Sequence, residues 1–189
     1  MINDYPELIA EVTERSDSAG VPLRHAMLTG MAGNELNKKL NVSEMEIEAT
    51  LTTDADGEVA VPSGLQSIRS IMYGKKILPK VNLRVIKGGG SGYAIVNGTI
   101  YTSLASSDLV ATYYTAIPGL VANNTNWLLS ANPEIYLYAL LKQAFLVNLD
   151  IEKASAAGKY MDQLIDDFNM HDAVARFNGS THRNLGTVI

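Results

Sequence analysis

The sequence predicts an α+β fold in which a helical bundle body, built from the N-terminal and C-terminal stretches, carries an inserted small antiparallel β domain. Three observations carry that expectation. Apolar residues recur at helical spacing before residue 43 and after residue 127, they alternate every second residue from Met45 onward, and turn-forming pairs such as Asn97-Gly98 punctuate the middle third. With 189 residues, 47% apolar and 19% charged, the chain has material for one core of ordinary size. We therefore expect a single domain over 1–189, with a helical body from 1–43 and 127–178, a β insertion at 45–117 and a C-terminal docking tail at 179–189.

The elements follow in order. Asp4, with Glu7 three residues on, is a helix start of the capping-box kind, and Leu8, Ile9 and Val12 form its apolar stripe before the polar run at 16–20. Pro22 suits the first turn of a second helix whose apolar face runs through Met27, Leu28, Met31, Ala32, Leu36 and Leu40. Gly20, Gly30 and Gly33 weaken that helix, and its methionines suit adjustable packing. From Met45, alternation of Met45, Ile47, Ala49 and Leu51 with Glu46, Glu48, Thr50 and Thr52 marks a half-buried strand. A turn at 54–57 leads to a short returning strand at 58–61, with further strands at 67–73, 92–96, 99–103 and 109–116. The Asn97-Gly98 pair between two of them is a strong hairpin signal.

After a polar loop at 122–126 and Trp127, residues 132–177 read as two consecutive helices. Between Ile135 and Val147 only Lys142 and Gln143 are polar, so this helix needs cover on most sides, and we expect part of that cover to come from partners. The next helix lays Ile151, Ala154, Gly158, Met161, Ile165 and Phe168 along a narrow seam. Asp162, Asp166, Asp167 and Glu152 then form its wet face.

Composition excludes several functions. The longest uninterrupted apolar run, 135–141, falls far short of the ~20 residues of a spanning helix. The first residues lack the basic and apolar regions of a secretory signal, so the expected site of synthesis and early residence is the cytoplasm. Without cysteine there are no disulfides, thiol nucleophiles or thiolate metal sites. A net charge of -5 argues against a dedicated DNA-binding domain and for protein partners.

Motifs of chemistry are few. The Gly88-Gly89-Gly90-Ser91-Gly92 loop lacks the Lys-Ser/Thr ending of a phosphate cradle and precedes a strand rather than a helix, so it reads as a flexible loop. Lys75, Lys76, Lys80, Arg84 and Lys87 form a basic run that suits an edge strand or a touch of nucleic acid. His25, His171 and His182 lie on different elements, His171 sharing a turn with Asp167 and Asp172, with no nucleophile or metal motif beside them. We expect no catalytic, cofactor or metal residues. Trp127 is expected in the core, whereas Tyr136 and Tyr138 point about 200° apart on one helix, so at least one looks elsewhere. The tail at 179–189 is polar until Leu185, Val188 and Ile189, which fits either disorder or a segment that orders on a partner.

Several segments together resemble a known family. They are Asn34-Glu35-Leu36-Asn37-Lys38-Lys39-Leu40 with Glu44-Met45-Glu46, the step from Val61-Pro62-Ser63-Gly64-Leu65 into Ile68-Arg69-Ser70-Ile71, and the hairpin around Asn97. The most specific part runs from Tyr113-Tyr114-Thr115-Ala116-Ile117-Pro118 through Asn126-Trp127-Leu128-Leu129 to Pro133-Glu134-Ile135-Tyr136-Leu137-Tyr138. In order and texture, over almost the whole chain, these resemble the head-to-tail adaptor (connector) proteins of short-tailed bacteriophages, of the tail tubular protein A kind. The glycine-rich loop and the long tail depart from the pattern. The resemblance implies a structural virion protein, a ring of typically twelve copies that joins the portal of the head to the nozzle or tail. Implied partners are other copies of the chain, the portal, the nozzle and, in passing, DNA in the channel. The expected place is the head-tail interface of the virion, after assembly in the host cytoplasm. Tyr136, Tyr138, Phe145, Met161 and Phe177 on the closing helices, with His182, Arg183, Leu185, Val188 and Ile189 on the tail, are the candidate interface residues. Two other classes compete with this reading. A tail-associated wall hydrolase would need a carboxylate pair among Glu44, Glu46, Glu48, Asp54 and Asp56, and a free-standing ligand-binding β module would need its aromatics on the sheet.

Overall fold

The computed structural model describes residues 2–17 and 20–177, which divide into two compact units. The first joins the described residues up to 44 to 117–177, and the second is 45–116.

In the first unit, α1 (Tyr5–Ser16) starts on Asp4, whose side chain accepts from Glu7 N at 2.9 Å. The Glu7 carboxylate turns back to Asn3, accepting from its backbone N at 2.7 Å, so the reciprocal half of the cap closes one residue before the expected place. Asp17, at φ 48°, ends the helix in the left-handed region. Pro22 occupies the first turn of α2 (Val21–Lys39), as its fixed φ and missing N–H favour. The hub of the unit is α6 (Pro133–Val147), which buries nine of its fifteen residues and packs against α1, α2, α5 (Trp127–Ala131) and α7 (Ile151–Phe177).

That packing corrects one expectation. Most of the nearly all-apolar circumference of α6 is covered by helices of its own unit, and among its large apolar side chains Leu146 and part of Tyr138 stay open. Its polar residues have partners too. Lys142 Nζ and Gln143 Nε2 donate to Glu35 of α2 at 2.6 and 3.3 Å, and Lys39 Nζ reaches the same carboxylate at 2.9 Å.

Along α7, Ala154, Ala157, Met161 and Ile165 are the buried seam, while Ile151 is 62% exposed. Gly158 is buried too, and a Cβ there would meet only the flexible stem of Lys142, at 3.5 Å. The far end of α7 holds the chain after α2: Asn169 accepts from Asn41 N, and Asp172 accepts from Ser43 N, both at 3.1 Å.

The second unit is two antiparallel sheets. One has the order β1 (Glu46–Thr52), β7 (Asp108–Thr115), β3 (Leu65–Tyr73), β4 (Lys76–Ile77); the other β2 (Glu58–Ala60), β6 (Thr99–Thr102), β5 (Tyr93–Val96). Leu51, Ile71, Tyr93, Ile100, Leu109, Ala111 and Tyr113 form their common core. Asn97 and Gly98 both take positive φ, at 49° and 76°, the twist a two-residue hairpin turn requires. Strand β2 turns away from β1 and pairs with β6. The turn before it decides this: Gly57 accepts from Thr102 N at 2.9 Å, and a Cβ on Gly57 would lie 2.3 Å from Thr102 O. Three short helices fell outside the sequence reading as elements: α3 (Leu83–Lys87), α4 (Leu120–Asn123) and α5. Four or five residues are too few for a period to register.

Candidate interaction surfaces

The two tyrosines of α6 part company as their angular separation demands. Tyr136 is 2% exposed, and its hydroxyl accepts from Asn126 Nδ2 at 2.9 Å. Burial, outweighing that hydrogen bond, pushes the phenol up to about 12. Asn126 is itself a keystone, since its Oδ1 caps α5 by accepting from Leu129 N at 2.9 Å and its Nδ2 also reaches Pro118 O. Tyr138 is half-buried and stacks on Tyr160 of α7, ring centroids 5.4 Å apart and 21° from parallel.

Phe145 and Met161 are also enclosed by their own unit, Phe145 beneath the Lys153 ammonium at 5.7 Å and Met161 with no exposed surface. Enclosed side chains cannot also be contact surface, so Tyr136, Phe145 and Met161 serve the subunit core, and of the five helix candidates Tyr138 keeps partial exposure. Phe177 ends α7, and His182, Arg183, Leu185, Val188 and Ile189 lie outside the described residues. Trp127 is half-buried at the start of α5, where Leu128 and Leu129 fill the interior instead.

The exposed apolar residues were not singled out from the sequence. On α2, Leu28, Ala32 and Leu36 are buried, but Leu23, Met27 and Met31 stand 88%, 51% and 44% exposed. Met27 and Met31 were expected to pack with Leu28; they sit about 100° and 60° short of it, on a second row that stays exposed. On the outer side of α7, Ile151, Ser155, Ala156 and Tyr160 line a shallow groove. Leu146 and Leu149 are exposed beside it in sequence, at the turn from α6 to α7. A further groove of 680 Å³ runs between α1 and α2, lined by Tyr5, Pro6, Ile9, Thr13, Pro22 and His25. At its edge the Tyr5 hydroxyl lies 2.8 Å from both His25 Nδ1 and Thr29 Oγ1.

Three of the five carboxylates weighed for hydrolysis have structural duties. Glu46 pairs with Arg69 at 2.7 Å, Asp54 accepts from Asp56 N and Glu58 N within its turn, and Glu44 accepts from Ser43 Oγ at 3.2 Å. Glu48 is exposed. Asp56 and Glu58 line a cleft of 490 Å³ shared with Lys87, Gly89, Tyr101 and Ser103. The basic run divides between the edge strand β4, carrying Lys76, and α3, carrying Arg84 and Lys87. Among the described residues no three His, Asp or Glu gather as metal ligands, and no helix is long and apolar enough to cross a membrane.

Surfaces of this sort, large apolar side chains on outward helix faces and acids engaged in caps and ion pairs, define a protein of assembly. The chain belongs to the SU10 adaptor protein family, whose model matches residues 3–184. It is a bacteriophage structural protein, an adaptor of the junction between head and tail, and a component of the virion. No curated protein matches the chain significantly.

Proposed function

We propose that the chain forms a ring, of twelve copies, seated on the portal of the filled head and receiving the tail or nozzle on its other side. The observation that carries this reading is the outward apolar surface of the helical unit, on which Leu23, Met27, Ile151 and Tyr160 stand more than half exposed. A head-to-tail ring offers two different patches per copy, and closure limits growth. Tyr138, through its stack on Tyr160, and Phe177 at the end of α7 are the interface candidates that remain on the helices. The division into a helical body and a β insertion leaves the helices to make the contact between copies. The β unit, with Lys76 and Arg84 exposed, is the part suited to a passing contact with DNA in the channel.

On this reading the tail at 179–189 orders on the portal or a neighbouring copy, its Leu185, Val188 and Ile189 offsetting about 1–2 kcal/mol of ordering cost per residue. The role is structural, with no reaction of its own, and the chain waits in the host cytoplasm until heads are filled. The test is to incubate the purified chain with filled heads and image them by electron microscopy. An added ring of density at the portal is expected, and chain that stays unbound would refute the reading. Removing 179–189 is expected to weaken attachment while leaving the melting temperature unchanged. Peptidoglycan treated with the chain should remain intact.

A further inference from the structure

Resting on the adaptor reading, the two outward helix faces of the first unit can be matched to one another. The α2 face offers a row of knobs: Leu23, Met27 and Met31 follow at four-residue steps, so the row spans about 12 Å. Exposed charge on α2 is entirely basic, Arg24 beside the first knob and Lys38 beyond the last, because its one acid, Glu35, is tied to Lys142 and Lys39. The α7 face offers the converse. Ile151, Glu152, Ser155, Ala156, Lys159 and Tyr160 line a shallow groove, in which Ser155 and Ala156 are the small side chains, and Glu152 and Asp166 stand exposed on the same side of the helix, one to either side of Lys159. Among the described residues neither of those acids is in an ion pair, whereas Asp162 holds Lys39 and Lys153 holds Asp150.

The spacings agree. Arg24 and Lys38 are fourteen residues apart, and so are Glu152 and Asp166, about 21 Å of helix in each case.

We propose that α2 of one copy docks lengthwise and parallel on α7 of a second copy, with Arg24 at Glu152 and Lys38 at Asp166. In that register Leu23 meets Ile151, Met27 enters the groove at Ser155, and Met31 lies along the Lys159 stem beside the Tyr160 ring, where a thioether is favoured. The smaller side chains of Ser155 and Ala156 let the helices approach closely, and the adaptable methionines fill what remains. Because the two patches differ, every docked copy still offers one of each, so the same contact repeats until a ring closes. The occupant is a second copy and not another virion protein because knob row, groove and both charge pairs are all supplied by this one chain.

The absence of cysteine makes a clean test. Met27→Cys and Ser155→Cys chains are prepared singly and together, and oxidised mildly both as purified full chain and bound to filled heads. The double variant is expected to give a ladder of covalent multimers, a mixture of the singles to give a dimer, and either single alone to give neither. Absence of the 27–155 bond in both preparations would overturn the proposal. So would a bond from position 27 to the same position of another copy, or to a different virion protein. Reversal of the basic pair by R24E with K38E should weaken self-association roughly tenfold, and adding E152K with D166K should restore it. Failure of the fourfold variant to recover, with its helical signal unchanged, would also overturn it. Wild-type chain that never binds heads would instead refute the adaptor reading, while the crosslinks in purified chain would still decide the contact.

Discussion

Replacement of Glu35 by Gln isolates the polar clamp between α2, α6 and α7. The Glu35 carboxylate accepts from Lys142 at 2.6 Å, Lys39 at 2.9 Å and Gln143 at 3.3 Å, and its side chain is 19% exposed. Hydrogen bonds to charged groups contribute about 1.5–3 kcal/mol each in favourable settings. A Gln oxygen keeps one neutral acceptor, and Lys39 keeps Asp162, so the loss falls mainly on Lys142. We expect E35Q to cost about 2 kcal/mol at pH 7 and, at ~2–4 °C per kcal/mol for a chain of this size, to lower the melting temperature by about 4–8 °C. The cost depends on pH in a defined direction. Burial raises the Glu35 pKa, but its bonds to Lys142 and Lys39 outweigh that and hold it below its ordinary value. A depressed acid contributes stability that is present above its unfolded value, about 4.3, and is lost as pH falls through the folded value. The two melting curves should therefore differ fully at pH 7 and converge below about pH 4. Circular dichroism at 222 nm reads the helical unit almost alone, since the β unit has one helix of five residues. A difference under 1 °C at pH 7, or one that is constant down to pH 3, would refute the reasoning.

Two further variants probe the fold. Gly57→Ala must hold φ 77° and place a Cβ 2.3 Å from Thr102 O. Strain of about 1–2 kcal/mol plus that clash should unfold the β unit first, seen as lost amide protection in β2 and β6 while α6 keeps its own. Asn126→Ala removes the α5 cap and the donor to the Tyr136 hydroxyl, so it should cost about 2–3 kcal/mol in chemical denaturation. Tyr136→Phe, which leaves the cap in place, should cost less than half of that.

Much of the fold was legible because local signals and tertiary demand agreed. Asp4 caps α1, Pro22 opens α2, Asn97-Gly98 turns β5 into β6, and the change of period near Met45 marks the first strand. Pairing was less legible than strand position. The turn at 54–57 suggested that the strand near Glu58 returns along the first strand, but it pairs with β6, where Gly57 approaches Thr102 closely. Ile47 shows the limit of alternation: it lies on the core-facing row with Ala49 and Leu51, yet it is 43% exposed at the open edge of the sheet.

Contact surfaces were the least legible part, and the reason is geometric. A helix apolar all round and a helix with two adjacent apolar rows both declare more apolar surface than one neighbour can cover, but only packing decides which is left over. On α6 little is left over beyond Leu146 near its end and part of Tyr138, because α1, α2, α5 and α7 pack around it, and its aromatic candidates Tyr136 and Phe145 vanish into the core. On α2 the row of Leu28, Ala32 and Leu36 is buried and the row of Leu23, Met27 and Met31 is not, although either row alone has the same four-residue step. Residue chemistry distinguishes them only weakly: the buried row carries Ala32, which permits close approach, and the exposed row carries methionines flanked by Arg24 and Lys38. A single outward-facing charge substitution separates the two cases. Met31→Lys should leave the melting temperature within about 2 °C, since surface changes lie within about ±0.5 kcal/mol, whereas Leu28→Lys should prevent folding of the helical unit. If both variants melt alike, the outward row is part of the core, and the surface on which the assembly depends has to be sought elsewhere.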